Sequence, residues 1–223
     1  MNNINNKYTI YIDFDGTVTT RDVGDGVFDR FLRKELGKNW HKDLLEEWKS
    51  GRLTSQECLL IQSKNSEVTK EEMVNALDNF ELREGFTELI EHCRKNGISV
   101  EILSDGLDFY INHILKKNGL GDLTVKSNHM HFEGQSMVME FPFMEFGCGH
   151  CGNCKRYHIE KSRANGNKIV YIGDGLSDRF AVKSSDIIFA RGDLARHCKR
   201  NSIEFTYFPD FHTVLRFIEE TNE

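Results

Sequence analysis

The sequence predicts an α/β fold, a Rossmann-like parallel-sheet core with a small helical domain, and three observations predict it. Short apolar runs, residues 8–12 (YTIYI) and 168–172 (KIVYI), stop at Asp13 and at Gly173-Asp174, the pattern of buried parallel strands that deliver side chains at their ends. From Gly85 onward, helical and strand patterns alternate, which is what crossover units linking parallel strands require. Between Val27 and Phe80 no strand pattern occurs, so this stretch reads as an all-helical insert.

Taken in order, the first strand ends where Asp13 begins the chemistry. The insert holds a helix in FDRFLRKEL, a second in HKDLLEEWKSG stopped by Gly51, and two more opened by capping boxes, Thr54 with Glu57 and Thr69 with Glu72. Residues 21–83 are accordingly expected to form the helical domain, and residues 1–20 with 84–223 the core. The core resumes with a helix (FTELIEHCRKNG), a strand over residues 98–103 and a helix (LDFYINHILKKNG). Extended segments between Leu123 and Phe143, broken at Glu133-Gly134-Gln135, predict a β-hairpin. The Cys- and Gly-rich loop GCGHCGNCK follows, then a helix over residues 156–165 and the KIVYI strand. A helix over residues 176–184, a strand DIIFA, a helix, a short strand IEFTY and a final helix complete the chain, which has no internal repeat.

At 223 residues the chain suffices for one α/β core with a small appendage. A net charge of -6, with 29 Lys and Arg dispersed along the chain, supplies no basic field for nucleic acid. No run of 18 apolar residues occurs to span a membrane, and residues 1–7 lack the layout of an export signal, so a cytoplasmic protein with reduced thiols is expected. Oligomeric state is not legible.

Three constellations carry chemistry. In Asp13-Phe14-Asp15-Gly16-Thr17, alternation along an extended chain can turn both carboxylates to one side, where they can share a cation, and Gly16 allows a sharp turn away. Gly173-Asp174-Gly175-Leu176-Ser177-Asp178 places further carboxylates after a second strand, suited to a hard cation such as Mg²⁺. Ser104-Asp105-Gly106 offers a hydroxyl and backbone amides of the kind that receive phosphate. Each alone is also an ordinary acidic turn or helix cap. Asp13, Ser104 and Asp174 gain weight together, because all three end parallel strands, where open α/β sheets bind ligands.

DFDGTVTTRD, the Ser after the second core strand, a Lys ahead of the next motif, and GDGLSD resemble the four motifs of the haloacid dehalogenase superfamily of phosphatases. The order covers essentially the whole chain, and the helical insert is similar to the cap of phosphoserine phosphatase. The hairpin and the loop ending in Cys154-Lys155 resemble a narrower group, which comprises the methylthiopentenyl-phosphate phosphatase of methionine salvage and relatives acting on phosphoethanolamine, phosphocholine and pyridoxal phosphate. The resemblance implies a Mg²⁺-dependent phosphatase acting on a small phosphorylated metabolite. In it Asp13 is the nucleophile, and Asp15 protonates the leaving oxygen and then activates water. Asp174 ligates Mg²⁺ with Asp13 and the Asp15 carbonyl, Asp178 holds a metal-bound water or another group of the site, and Ser104, Asp105 and Gly106 meet the phosphoryl group. Lys155 is the expected phosphate-stabilising cation, with Lys126 and Lys161 as alternatives. Asp22 or Asp25 could stand where phosphoserine phosphatases place the acid that holds the substrate's amino group.

Cys148, Cys151 and Cys154, with His150 between, have the spacing of a zinc knuckle but provide only three thiolates, so a structural Zn²⁺ would need His150, His129, His131 or His158 as fourth ligand. Reduced thiols or a redox-sensitive loop are the other readings. Cys58, Cys93 and Cys198, like Trp40 and Trp48, read as core. Two rival classes stay open: another reaction on the same scaffold, and a zinc-containing binding module built on the Cys loop. The second leaves the acidic strand ends unexplained.

Overall fold

The computed structural model describes residues 8–37, 39–163 and 166–222. The seven N-terminal residues, read above for an export signal, and the end of the helix expected to reach residue 165 lie outside them. Strands β1 (Tyr8–Ile12), β2 (Ser99–Leu107), β3 (Thr124–Glu133), β4 (Ser136–Glu140), β5 (Lys168–Gly173), β6 (Ile187–Ala190) and β7 (Thr206–Tyr207) form one sheet in the order β4-β3-β2-β1-β5-β6-β7. Neighbours run parallel except β3 and β4, the expected hairpin.

Strand β1 is buried along its whole length because helices cover both faces of the sheet. Its side chains alternate accordingly: Ile10 and Ile12 join the cluster that includes Ile90, Ile111 and Val214, whereas Tyr11 joins Ile159, Leu194 and Cys198 on the other face. Helices α5 (Phe86–Lys95), α6 (Asp108–Lys117) and α9 (Phe211–Asn222) supply the first layer, α7 (Lys155–Ser162) and α8 (Gly192–Arg200) the second. Ile12 pairs with Ile102 on one side and Ile172 on the other, so the residues that follow these positions emerge together at the carboxyl edge of the sheet.

The stretch between β1 and β2 holds α1 (Val23–Phe31), α2 (Trp40–Lys49), α3 (Ser55–Lys64) and α4 (Lys70–Leu77). Both predicted capping boxes form: Glu57 N–H donates to Thr54 Oγ1 at 3.1 Å while Thr54 N–H donates to Glu57 at 2.8 Å, and Thr69 with Glu72 repeats the arrangement.

Four elements depart from expectation. Helix α1 starts at Val23, five residues before FDRFLRKEL, because Asp22 caps it by accepting from Asp25 N–H at 2.8 Å; it ends at Phe31, where Leu32 turns extended and bridges Ser66. Strand β2 continues through Ser104-Asp105-Gly106 with a register shift against β3, and α6 begins only at Asp108, whose carboxylate accepts from Met130 N–H. Residues 176–184 form two short 3₁₀ turns, Leu176–Phe180 and Val182–Ser184, in place of one helix. The strand expected from IEFTY shortens to Thr206–Tyr207.

Candidate active site

Directly after β1 the chain enters a wide helical turn, Phe14–Val18, in which Gly16 adopts φ 73°. A Cβ at Gly16 would lie 2.8 Å from Asp174 Oδ2, so this glycine serves both the turn and the close approach of two acidic strand ends. Thr17 completes the contact by donating its hydroxyl to Asp174 Oδ1 at 2.5 Å.

Asp13 is buried and meets Lys155 Nζ at 2.5 Å. Lys155, 3% exposed at the first position of α7, also contacts Asp178 Oδ1 at 2.5 Å and donates to Ser177 Oγ at 3.3 Å. Lys126 instead pairs with Glu101, and Lys161 lies over the Tyr157 ring, so of the three candidate lysines only Lys155 reaches the strand ends. Asp178 is fully engaged: Oδ1 also accepts from Tyr171 OH at 2.6 Å, and Oδ2 accepts from the N–H groups of Asp174 at 3.0 Å and Gly175 at 2.9 Å. These last two bonds fold the turn after β5 and account for its failure to continue as a helix.

Asp15 accepts at Oδ1 from Val23 N–H (3.1 Å) and Gly24 N–H (3.3 Å), and at Oδ2 from Tyr110 OH (2.8 Å) and Ser104 Oγ (3.2 Å). Ser104 is buried beside it and accepts from Gly106 N–H at 2.9 Å. Gly106 could be little else, since a Cβ there would fall 1.8 Å from Tyr110 OH. The Asp105 carboxylate turns away from these groups, accepting from Ser55 Oγ of α3 at 2.6 Å and from Asn153 N–H at 2.7 Å.

Electrostatics follow from crowding. Burial raises the Asp13 carboxyl well above the usual carboxylate range, Asp178 adds to this, and Lys155 pulls it back. Burial also raises Asp15, against the hydrogen bonds from Tyr110, Gly24 and Val23. Asp174 is pushed up to about 6 by burial and by Asp178. Burial alone would discharge Lys155, but Asp13 and Asp178 hold it above its ordinary value and therefore cationic.

Among the described residues, Asp13, Asp174 and Asp178 offer carboxylate oxygens that all lie within 4.8 Å of one another. Hard oxygen donors and unrelieved negative charge fit a divalent cation such as Mg²⁺. Because Lys155, Tyr171 and backbone amides occupy Asp178, Lys155 holds Asp13 Oδ1 and Thr17 holds Asp174 Oδ1, the oxygens left for a cation are Asp13 Oδ2 and Asp174 Oδ2. The cysteine loop does not form such a group among the described residues. Its possible fourth ligands are engaged elsewhere: His150 stacks on Trp48, His129 pairs with Asp108, His131 with Glu133, and His158 hydrogen-bonds Asn153 Oδ1 at 2.6 Å.

A cavity of about 200 Å³ opens over Asp13, Asp15 and Asp174. Its far wall comes from the helical stretch, with Asp22, Asp25 and Gln62 beside Phe28, Leu45 and Leu59. Trp48, expected in a core, lines the same cavity and donates from Nε1 to Ser55 Oγ at 3.0 Å.

Sequence reasoning passed over Tyr110, Tyr171 and Arg83. The guanidinium of Arg83 donates to the carbonyls of Gly16 (2.6 Å), Thr17 (2.9 Å) and Thr19 (3.0 Å), gripping the turn that carries Asp15. Both tyrosines lie in apolar helix or strand text, where a core role is the default, and Arg83 stands between Leu82 and Glu84 with no motif around it. Only the glycine four residues before Tyr110 hinted at a close approach.

The family model described as Putative Phosphatase matches residues 8–207. A 2-hydroxy-3-keto-5-methylthiopentenyl-1-phosphate phosphatase of Bacillus mycoides is 31% identical, covering 92% of this chain and 93% of its own. The enzyme of the same name from Brevibacillus brevis is 28% identical, with 97% of each chain covered. Among solved structures, a phospho-aspartyl intermediate analogue of phosphoserine phosphatase superposes with a TM-score of 0.69 at 20% identity, over 95% of this chain and 98% of that one.

Proposed function

The chain belongs to the Putative Phosphatase family of haloacid dehalogenase-type phosphoric monoester hydrolases, and from that premise we propose that it hydrolyses a small phosphorylated metabolite, first of all 2-hydroxy-3-keto-5-methylthiopentenyl-1-phosphate, through an aspartyl-phosphate on Asp13. The observation that carries this reading is the convergence of Asp13, Asp15, Ser104, Lys155 and Asp174 beneath one cavity.

In this mechanism Asp13 and Asp174, with the main-chain carbonyl of Asp15, would hold Mg²⁺, which when bound supplies positive charge to the phosphoryl oxygens. Lys155 and the Ser104 hydroxyl bind those oxygens as well, and the Lys155 ion pair opposes the rise in proton affinity that burial imposes on Asp13, favouring the ionised nucleophile. A carboxylate oxygen of Asp13 attacks phosphorus as the ester P–O bond breaks, and protonated Asp15 gives its proton to the departing oxygen. Burial raises the proton affinity of Asp15 and so favours its carrying that proton, and Tyr110 with the α1 amides fixes its direction. Asp15, now ionised, takes a proton from the water that attacks the phosphoenzyme; phosphate leaves and Asp13 is regenerated. Asp178 orients Lys155, and the Gly106 N–H, donating to Ser104 Oγ, orients the hydroxyl that meets the phosphoryl group.

Residues 21–83 act as the cap, closing water out and selecting the substrate. The apolar wall of Phe28, Leu45, Trp48 and Leu59 suits a thioether chain. Asp22 and Asp25 on the same wall favour a second reading, a phosphate monoester carrying an amine, as in phosphoserine, phosphoethanolamine, phosphocholine or pyridoxal phosphate chemistry. A cytoplasmic location suits the six free thiols.

Phosphate release from a panel holding the methylthiopentenyl ester and these amine esters, with magnesium and with chelator, tests the proposal. Magnesium-dependent release led by the thioether is expected. Preference for an amine ester would move the assignment to the second reading, and release from none would overturn both.

A further inference from the structure

The loop between β4 and α7 carries three of the six thiols and takes no direct part in the chemistry above. Cys148 is partly exposed, whereas Cys151 and Cys154 are buried. The Cys148 sulfur accepts from Cys151 N–H at 3.4 Å, and Cys151 and Cys154 follow it in the same short loop. A reachable sulfur, steadied by a backbone donor and flanked by two further thiols, has the arrangement in which an oxidised cysteine is resolved to a disulfide.

The same loop is tied to both sides of the active-site cavity. The His150 carbonyl accepts from Ser55 N–H at 2.8 Å, and its ring stacks on Trp48 with centroids 6.2 Å apart. Asn153 N–H donates to Asp105, which Ser55 also holds, and Cys154 immediately precedes Lys155. A rearrangement of residues 148–154 is therefore transmitted to a cavity wall and to the cation beside Asp13.

We propose that Cys148 is a peroxide-reactive thiol whose disulfide with Cys151 or Cys154 slows the enzyme by drawing this loop away from Ser55 and Asp105. In the first step the Cys148 thiolate attacks a hydroperoxide, an S–O bond forms as the O–O bond breaks, and the leaving hydroxide takes a proton. In the second the Cys151 or Cys154 sulfur attacks the sulfenic sulfur, an S–S bond forms, and water leaves with the thiol proton. Two thiols lose two electrons and hydrogen peroxide gains them as two waters. Joining two of these sulfurs contracts the loop, which Gly149, at φ 73° with open space around it, permits. The effect on turnover rests on the phosphatase reading; the disulfide does not.

The test treats reduced protein with hydrogen peroxide, blocks free thiols and maps the peptides by mass, while phosphate release from p-nitrophenyl phosphate with magnesium is followed before and after dithiothreitol. A disulfide at Cys148, at least a fivefold loss of rate restored by dithiothreitol, and a Cys148→Ser variant that starts at the wild-type rate and resists peroxide are expected. No Cys148 disulfide, a disulfide without loss of rate, or equal inhibition of Cys148→Ser overturns the proposal. Lack of release by the reduced wild-type protein from p-nitrophenyl phosphate and from every ester of the panel above would instead overturn the phosphatase reading, and the peptide map alone would then decide the thiol chemistry.

Discussion

In the proposed mechanism Asp15 changes protonation twice in each turnover, and the Tyr110 hydroxyl is the one side-chain donor on it that this mechanism leaves away from the phosphoryl group. A hydrogen bond to the ionised form stabilises that form, so Tyr110→Phe should raise the Asp15 pKa further. The alkaline limb of the kcat profile should move to higher pH, and kcat should fall about 10-fold to 100-fold, the equivalent of one lost charge-assisted bond of about 1.5–3 kcal/mol. An unchanged pH–rate profile would remove Tyr110 from this role. Lys155 is a poorer probe, because deleting one partner of a buried ion pair costs about 3–5 kcal/mol of stability and confounds any loss of rate. At this scale Asp13, Asp15, Ser104 and Asp174 were legible because each ends an apolar run. Tyr110 and Tyr171 were not, since only the tertiary structure brings a carboxylate to their hydroxyls.

Among the elements, the capping boxes were legible because their donors and acceptors lie within three residues. The turns over residues 176–184 were not, because the Asp178 side chain, itself held by Lys155 of α7, takes the amides of Asp174 and Gly175. Strand β2 outran its expected end for a comparable reason: Asn153, distant in sequence, donates to the Ser104 carbonyl and secures an extended path through Ser104 and Asp105. The turn after β1 depends on Arg83, where the chain returns from the helical stretch and Thr19 bridges Leu82. Arg83→Met should lower kcat roughly 10-fold and raise the magnesium requirement, because Thr17, gripped by Arg83, in turn holds Asp174. Added guanidinium should restore part of the rate if the lost grip is the cause. A variant with wild-type rate and magnesium dependence would show the grip to be dispensable.

Across the whole molecule, a parallel sheet with crossover helices, a helical insert and one hairpin was legible from alternating patterns, while the join between helical stretch, β2 and cysteine loop was not, because Ser55, Asp105 and His150 meet only in three dimensions. The folded protein gathers Asp13, Asp15, Asp174 and Asp178 around one lysine, so a bound cation should stabilise it. At about 100 times its Kd, magnesium adds about 2.7 kcal/mol, which for a chain of this size is roughly 5–10 °C in Tm. Together with Asp13, whose carboxyl burial also raises, Asp174, whose pKa is raised to about 6, contributes to the pH dependence. Above that pH its ionised form burdens the metal-free fold and is available to the cation; below it a proton relieves the burden and takes the cation's place. The magnesium-induced rise in Tm should therefore be large at pH 7.5 and shrink as pH falls through about 6, and a rise independent of pH would place the cation elsewhere. The central claim, a covalent phosphoenzyme on Asp13, is tested most directly by acid-quenching the enzyme during turnover and locating the added phosphoryl group by peptide mass. A phosphoryl group on Asp13, absent from a folded but inactive Asp13→Asn variant, is the predicted result, and turnover by that variant or a phosphoryl group on another residue would contradict it.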